Sequence, residues 1–259
     1  MIYAIVIIYN KPCSESETLS VLKLYREKLN IVIFDNGSEK YNNEQYCHEY
    51  GLTYLSYNNN MGISKAYNRA IINLQVKESD YVFIFDDDTI LTKEYMEEAL
   101  NLIKDNECDI CLPIVMANHI ILSPSNKKFK CGSKIVSNIE DIKINKITAI
   151  NSGMIVSGKV YQKIEYDENL FLDMVDHRFM DCVRDAGYKI FIMKSIIYQN
   201  YSRQEKNNYE SAWSRYQIFK KDFKTYCVIN NAKTFYLLSI LKLKFFNAFK
   251  YRKIGFLIK

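Results

Sequence analysis

Apolar residues in the first part of the chain come in short unbroken runs, separated by polar segments with helical spacing. Ile2–Tyr9, Ile31–Phe34, Leu52–Tyr57, Tyr81–Phe85 and Asp109–Val115 read as strands. Runs this continuous are typical of parallel strands buried on both faces. Helices are expected between them at Glu17–Lys28, Asn43–Tyr50, Ile63–Gln75 and Thr92–Lys104. Two strands stop in strongly polar turns, Asp35-Asn36-Gly37-Ser38 and Asp86-Asp87-Asp88-Thr89. Strands alternating with helices predict an α/β fold: a doubly wound, Rossmann-like, mostly parallel sheet with helices on both faces. Ligands of such sheets bind beyond the carboxyl ends of the strands.

The second part is less regular. Strands are expected at Lys128–Val136, Thr148–Ser157 and Lys189–Ile197, and helices near Gly158–Ile164 and Asp176–Ala186. From Asn207 onward the pattern is largely helical. The expected division is a body over 1–205, with halves 1–115 and 116–205, followed by a helical extension over 206–259.

Composition narrows the class. At 259 residues, 48% hydrophobic and 25% charged with only 8 Gly and 3 Pro, the chain is globular and neither disordered nor low-complexity. Its net charge of +5 is unevenly placed: the residues from Asn231 on carry seven Lys or Arg and no Asp or Glu, leaving the first 230 near −2. A nucleic-acid binder would spread its charge over the folded domain, so no nucleic-acid partner is expected. The seven cysteines are scattered and odd in number, which favours reduced thiols over a disulfide framework. Cys108-Asp109-Ile110-Cys111 stands without a second pair, and two small, partly buried side chains explain it better than zinc does. The opening MIYAIVIIYN enters a strand without a leader signature, and no apolar run approaches membrane-spanning length. A cytoplasmic protein is expected.

Three carboxylates directly after the strand YVFIF repel one another. Such oxygen ligands suit a hard divalent cation, Mg²⁺ or Mn²⁺, which keeps waters and substrate phosphates as its other ligands. Side chains alternate in direction along extended backbone, so Asp86 and Asp88 can share a ligand while Asp87 points away. A solvated acidic turn before the next helix is the plainer alternative. A haloacid-dehalogenase-type phosphatase would need its threonine one position later than Thr89. A response-regulator pocket would fit a chain about half as long.

Several segments together resemble the family 2 glycosyltransferases of the GT-A fold, most of all their rhamnosyltransferase-like branch. AIVIIYN at Ala4–Asn10 resembles the opening strand and the turn beside the nucleotide base, with Tyr9 in that turn. IVIFDNGS at Ile31–Ser38 places Asp35 where the family contacts base or ribose. NNNMGISKAYNRAI at Asn58–Ile71 resembles an Asn-x-Gly stretch, here Asn60 and Gly62. FIFDDDT at Phe83–Thr89 stands at the Asp-x-Asp site. INSGMIVS at Ile150–Ser157 resembles a segment lining the active site, through Ser152 and Gly153. YDENLFLDMVDHRFMDCVRDAGYKI at Tyr166–Ile190 resembles the region that carries the catalytic base.

The resemblance implies a metal-dependent inverting transfer. Asp88, with Asp86, would hold the Mg²⁺ or Mn²⁺ that neutralises the departing diphosphate, and Asp86 and Asp87 would also face the nucleotide sugar. Asp176, or failing it Asp173, would be the base. The half 1–115 would bind the nucleotide-sugar donor, dTDP-L-rhamnose first and a UDP-hexose next. The half 116–205 would bind a glycan or lipid-linked saccharide acceptor in bacterial surface polysaccharide synthesis. Where the family often presents a His near the metal, this chain reads Tyr198-Gln199-Asn200. Gln199 or Asn200 could offer an amide oxygen instead. That departure keeps a second reading open, a non-catalytic GT-A-like protein that binds a glycan or a partner. Arg178 and Arg184 are expected to be surface or ion-pair residues rather than phosphate ligands. The basic, apolar stretch 233–259 is expected as an amphipathic helix, either on the inner face of the cell membrane or packed on the body.

Overall fold

Strand β1 (Ile2–Ile8) is the axis of the molecule, because its side chains feed two cores. Tyr3, Ile5 and Ile7 join one cluster, and Ala4, Val6 and Ile8 join the other, as the two-residue period of a strand dictates. The structure is a computed structural model that describes residues 1–38, 40–57, 59–105, 108–199 and 209–258.

In chain order, α1 (Glu17–Leu22), β2 (Asn30–Asp35), α2 (Asn43–Tyr50), β3 (Thr53–Ser56), α3 (Ile63–Asn73) and β4 (Tyr81–Asp86) follow. Then come β5 (Thr89–Ile90), α4 (Lys93–Asp105), β6 (Ile110–Ala117), β7 (Ile120–Ser123), β8 (Ser125–Lys128) and β9 (Gly132–Lys134). The chain continues through β10 (Ile147–Thr148), β11 (Met154–Ser157), α5 (Gly158–Tyr161), α6 (Val175–Asp185) and β12 (Ile190–Gln199). Helices α7 (Tyr209–Ile229), α8 (Lys233–Tyr251) and α9 (Gly255–Ile258) close it. The main sheet has nine strands in the order β3-β2-β1-β4-β11-β6-β12-β5, with β7 paired to β6. β1 to β4 are parallel, β11 runs antiparallel between β4 and β6, and β6 and β12 are again parallel. The expected mixed, mostly parallel sheet is therefore present. Helices α1, α2 and α4 cover one face, and α3, α6, α7 and α8 pack over the other.

Four expectations need correction. The helix from Glu17 ends at Leu22 and tightens into a 3₁₀ turn, short of Lys28. The strand expected at Lys128–Val136 is a hairpin, since Phe129 adopts a left-handed φ of 52° and Lys128 turns back to face Gly132. The strand expected at Thr148–Ser157 is broken at Gly153, whose φ of +74° turns the chain between β10 and β11. Cys108 and Cys111 are joined in a disulfide, whereas the other five cysteines are free as expected. The boundary expected near 205 falls outside the described residues. No helix among the described residues is long and apolar enough to cross a membrane.

Candidate active site

Hydrogen-bond register brings the sequence's polar turns to one edge. Ile8 lies opposite Asp35, and Ile7 lies opposite Asp86. Tyr9, Asp35 and Asp86 therefore finish three neighbouring strands side by side, with Tyr9 exposed. β12 runs on to Gln199, which pairs with Thr89 of β5. That pairing carries Gln199 to the acidic turn from across the sheet.

The turn is held from below by α1. The Thr18 hydroxyl donates to the Asp86 carbonyl at 2.6 Å and accepts the Thr89 N–H at 2.9 Å. The Ser16 hydroxyl caps α1 and also donates to the Asp87 carbonyl at 2.7 Å. Both side chains are buried. Sequence reasoning missed them; two hydroxyl residues at a helix start look like ordinary caps.

The three carboxylates have different surroundings. Asp86 accepts hydrogen bonds from the Ser152 hydroxyl and from Gln199 Nε2 at 3.0 Å, both on Oδ2. Burial, with the charges of Asp88, Asp87 and Asp176 adding to it, pushes the Asp86 carboxyl up to about 6 despite the Ser152 bond. Asp88 is also raised, by burial first and by Asp87 second. Asp87 instead pairs with Lys11 Nζ at 2.9 Å. Lys11 was not singled out by the sequence, because one lysine in a loop carries no pattern.

Two raised carboxyls beside each other mark a place where negative charge exceeds its compensation. A hard divalent cation would fit that donor set, held by the Asp88 and Asp86 carboxylates. Among the described residues, no three His, Cys, Asp or Glu side chains converge as a complete metal site. The protein would thus supply few ligands and leave the rest to water and phosphate. Gln199 stands beside Asp86, while Asn200 lies outside the described residues.

Asp35 is differently occupied. Its oxygens accept the Ser38 N–H at 2.8 Å, Asn43 Nδ2 at 2.7 Å and the Tyr54 hydroxyl at 3.2 Å. Asn60 accepts from Asn36 Nδ2 and from the Gly62 N–H, both at 3.0 Å, tying the two loops together. Gly62 has a φ of +84°, and a Cβ there would lie 2.5 Å from the Phe171 carbonyl oxygen. The space that glycine leaves open is filled by Phe171. Ser152 is fully buried against Asp86, and a Cβ at Gly153 would meet Ile197 and Pro113.

The candidate bases differ as well. Asp176, in the first turn of α6, is half-buried and accepts the His177 N–H at 2.7 Å. Its charge is felt at Asp86. Asp173 is buried, and both its oxygens are taken by the guanidinium of Arg215 on α7, one at 2.7 Å. Asp173 is thereby committed to Arg215. Arg178 and Arg184 lie in ion pairs with Asp167 and Asp181. A cavity of about 670 Å³ opens beside the site, with Asp88, His177, Gln199 and Arg215 at its polar end and Leu243 and Phe246 of α8 in its apolar wall.

Comparisons with known proteins bear on the family and the fold. The family model described as Glycosyl transferase family 2 matches residues 3–122. A curated protein of Shigella flexneri, dTDP-rhamnosyl transferase RfbF, is 26% identical over 196 residues, covering 74% of this chain and 65% of its own length. S. aureus TarS 1-349 in complex with UDP aligns at a TM-score of 0.54 and 16% identity, over 88% of this chain and 65% of that one. GalNAc-T7 with UDP, GalNAc and Mn²⁺ aligns at 0.59 and 13% identity, over 78% of this chain and 44% of that one. The chain thus spans just under two thirds of the curated relative's length. The structural likenesses establish the fold, which is GT-A.

Proposed function

Residues 3–122 belong to glycosyl transferase family 2, and from that premise we propose that the chain is an inverting, metal-dependent glycosyltransferase. The observation that carries the reading is the pair Asp86 and Asp88, both raised by burial first and by neighbouring carboxylates, where β4 gives way to the acidic turn beside a cavity. A nucleoside-diphosphate sugar would lie over Tyr9, Asp35 and the loop of Asn60 and Gly62. Bound at Asp88 and Asp86, Mg²⁺ or Mn²⁺ supplies charge neutralisation for the leaving diphosphate. Asp176 takes the proton of the attacking hydroxyl, and the guanidinium on Asp173 makes that residue the weaker candidate. dTDP-L-rhamnose is the first donor, supported by the relative's name; a UDP-hexose is the next. The acceptor is a glycan or lipid-linked saccharide entering through the cavity.

Helix α8 supports peripheral contact with an anionic membrane. Leu237, Leu241, Phe245 and Phe249 recur every four residues and are all exposed, Phe249 at 89%. Lys242 and Lys244 lie between them in sequence. Binding to anionic but not zwitterionic vesicles, lost in Phe245→Ser/Phe249→Ser, is the expected outcome. The same contact would hold the chain at the inner face of the cell membrane.

The transfer reading is tested by hydrolysis of a panel of nucleotide sugars with Mn²⁺ or Mg²⁺. One donor should release nucleotide, and Asp176→Asn should keep donor binding while losing turnover. Silence across the panel, without any thermal shift from nucleoside diphosphates, supports the non-catalytic binding reading. Gln199 in place of a histidine beside Asp86 is the observation that favours that alternative.

A further inference from the structure

Helix α7 grips the segment that leads into Asp176, from a position about fifty residues downstream. Asp222, wholly buried in α7, receives three consecutive backbone donors. Its Oδ1 accepts the Phe171 N–H at 3.1 Å, and its Oδ2 accepts those of Leu172 and Asp173 at 2.8 and 2.9 Å. Successive amides converging on one anion form a concave site of the kind that binds phosphates, here filled by the protein's own carboxylate. Two turns earlier on the same helix, Arg215 holds the side chain of Asp173 with both terminal nitrogens. One helix thus fixes both the backbone and the side chain of this segment.

The other edge of the segment belongs to the donor side. The Phe171 carbonyl accepts the Ile63 N–H at 2.8 Å, and the Leu170 carbonyl accepts the Ser64 hydroxyl. Asn68 of α3 brackets Tyr166, giving Nδ2 to its carbonyl and taking its N–H, each at 2.9 Å. Phe171 itself fills the space above Gly62. At its far end the segment turns through Met174, with a left-handed φ of 64°, directly into α6 and Asp176.

We propose that Asp222 and Arg215 are positioning residues, through which α7 sets Asp176 in one frame with the Gly62 turn. The proposal rests on the transfer reading for its rate effects, and on the geometry alone for its structural ones. Burying a carboxyl group wholly away from water is costly, and three amide donors offset that cost only while the segment keeps this shape. The clamp therefore selects one conformation of residues 171–173. Misplacing a reacting group by about 1 Å costs around 10²-fold in rate.

The test compares Asp222→Asn with wild type, alone and combined with Asp176→Asn. The single variant should lose around 10²-fold in kcat with the donor KM within about 2-fold, because Gly62 and the acidic turn stay in place. In the Asp176→Asn background it should change the residual rate less than about 2-fold, since it acts through that residue. Equal losses in both backgrounds would overturn the proposal, as would an unchanged kcat in the single variant. Arg215→Lys serves if Asp222→Asn does not fold, and should lower kcat in the same selective way. A readout independent of turnover is the ring resonance of His177, which follows Asp176 and bonds the Thr148 hydroxyl at 2.6 Å. The clamp variant should shift that signal, with His48 and His119 as unmoved controls. If wild type transfers nothing, the transfer reading fails, and the His177 signal still decides the clamp: unmoved, it overturns the clamp.

Discussion

At the ends of β1, β2 and β4, strand register places the side chains that would meet a donor; beyond β11, long-range contacts between side chains and backbone do it. Asp35 and Asp86 are neighbours because Ile8 pairs with Asp35 and Ile7 with Asp86. Nothing comparable aligns Asp176. It depends on a segment strapped to α3 on one side and α7 on the other, by partners 42 to 106 positions away. The first region resembles a rigid shelf whose position follows from the sheet. The second is an assembly whose geometry depends on a few buried polar groups, and a single change in one of these groups can shift it.

The largest expected effect tests the shelf. Asp88→Asn should reduce transfer by 10² to 10³-fold or more and abolish cation-dependent thermal stabilisation by nucleoside diphosphates. Its unliganded melting temperature should not fall, because the substitution relieves repulsion with Asp86 and Asp87. A variant that still bound nucleotide in a cation-dependent way would remove Asp88 from the site. The second effect tests the assembly. Asp176→Asn should lose 10² to 10⁴-fold in kcat with unchanged melting, as expected for a general base. Asp173→Asn should lower melting as well as kcat, and lose less kcat than Asp176→Asn, because it loosens the grip of Arg215 without removing the base. It strands Arg215 and should cost about 1–2 kcal/mol of stability, discounted because Arg215 is 46% exposed. If Asp173→Asn proved the deeper rate defect, the two roles would have to be exchanged.

The same contrast explains what could be read from sequence. Unbroken apolar runs announced β1, β2, β4 and β6, and the polar turns at Asp35 and Asp86 stood where those runs stopped. Local pattern suffices when the partner strands are specified by the same period. The break at Gly153 and the hairpin at Phe129 escaped because each turns on one residue's left-handed φ, and apolar residues elsewhere in each stretch let it read as a single strand. Lys11, Thr18, Arg215 and Asp222 escaped for another reason. Each is an ordinary residue in an ordinary element, and its role exists only once a distant carbonyl, amide or carboxylate is folded against it. Gln199 was noticed at a position where a histidine was expected. Its proximity to Asp86 came from the extension of β12 and the two-residue β5, which no apolar run marks.

A smaller effect tests how the shelf is supported. Thr18→Val keeps the shape of a fully buried side chain and deletes the hydroxyl that joins α1 to Asp86 and Thr89. It leaves the Asp86 carbonyl and the Thr89 N–H without that partner, at a cost of about 1–3 kcal/mol. Melting should fall by about 2–4 °C per kcal/mol. Cation-dependent nucleotide binding should weaken with it, because the acidic turn loses its anchor. Unweakened nucleotide binding in the destabilised variant would show that strand register alone holds the turn.

The smallest effect concerns the proton on Asp86, and its sign separates the two states of the site. The carboxyl stands near 6 in the folded chain against an ordinary 3.8, so folding favours its protonated form. Its contribution to stability is therefore full below pH 4 and fades as pH rises through about 6. Without a cation, wild type should gain stability between pH 7.5 and pH 5 relative to Asp86→Asn, which carries no such proton. With Mn²⁺ and a nucleoside diphosphate the dependence should invert, since the cation needs the ionised carboxylate and competes with the proton. Ligand stabilisation should then be largest at pH 7.5 and small at pH 5. Parallel melting profiles for wild type and Asp86→Asn across that range would mean that Ser152 and Gln199 already stabilise the charge on Asp86. The excess negative charge would then rest on Asp88 alone, and the shelf would hold its cation through one carboxylate.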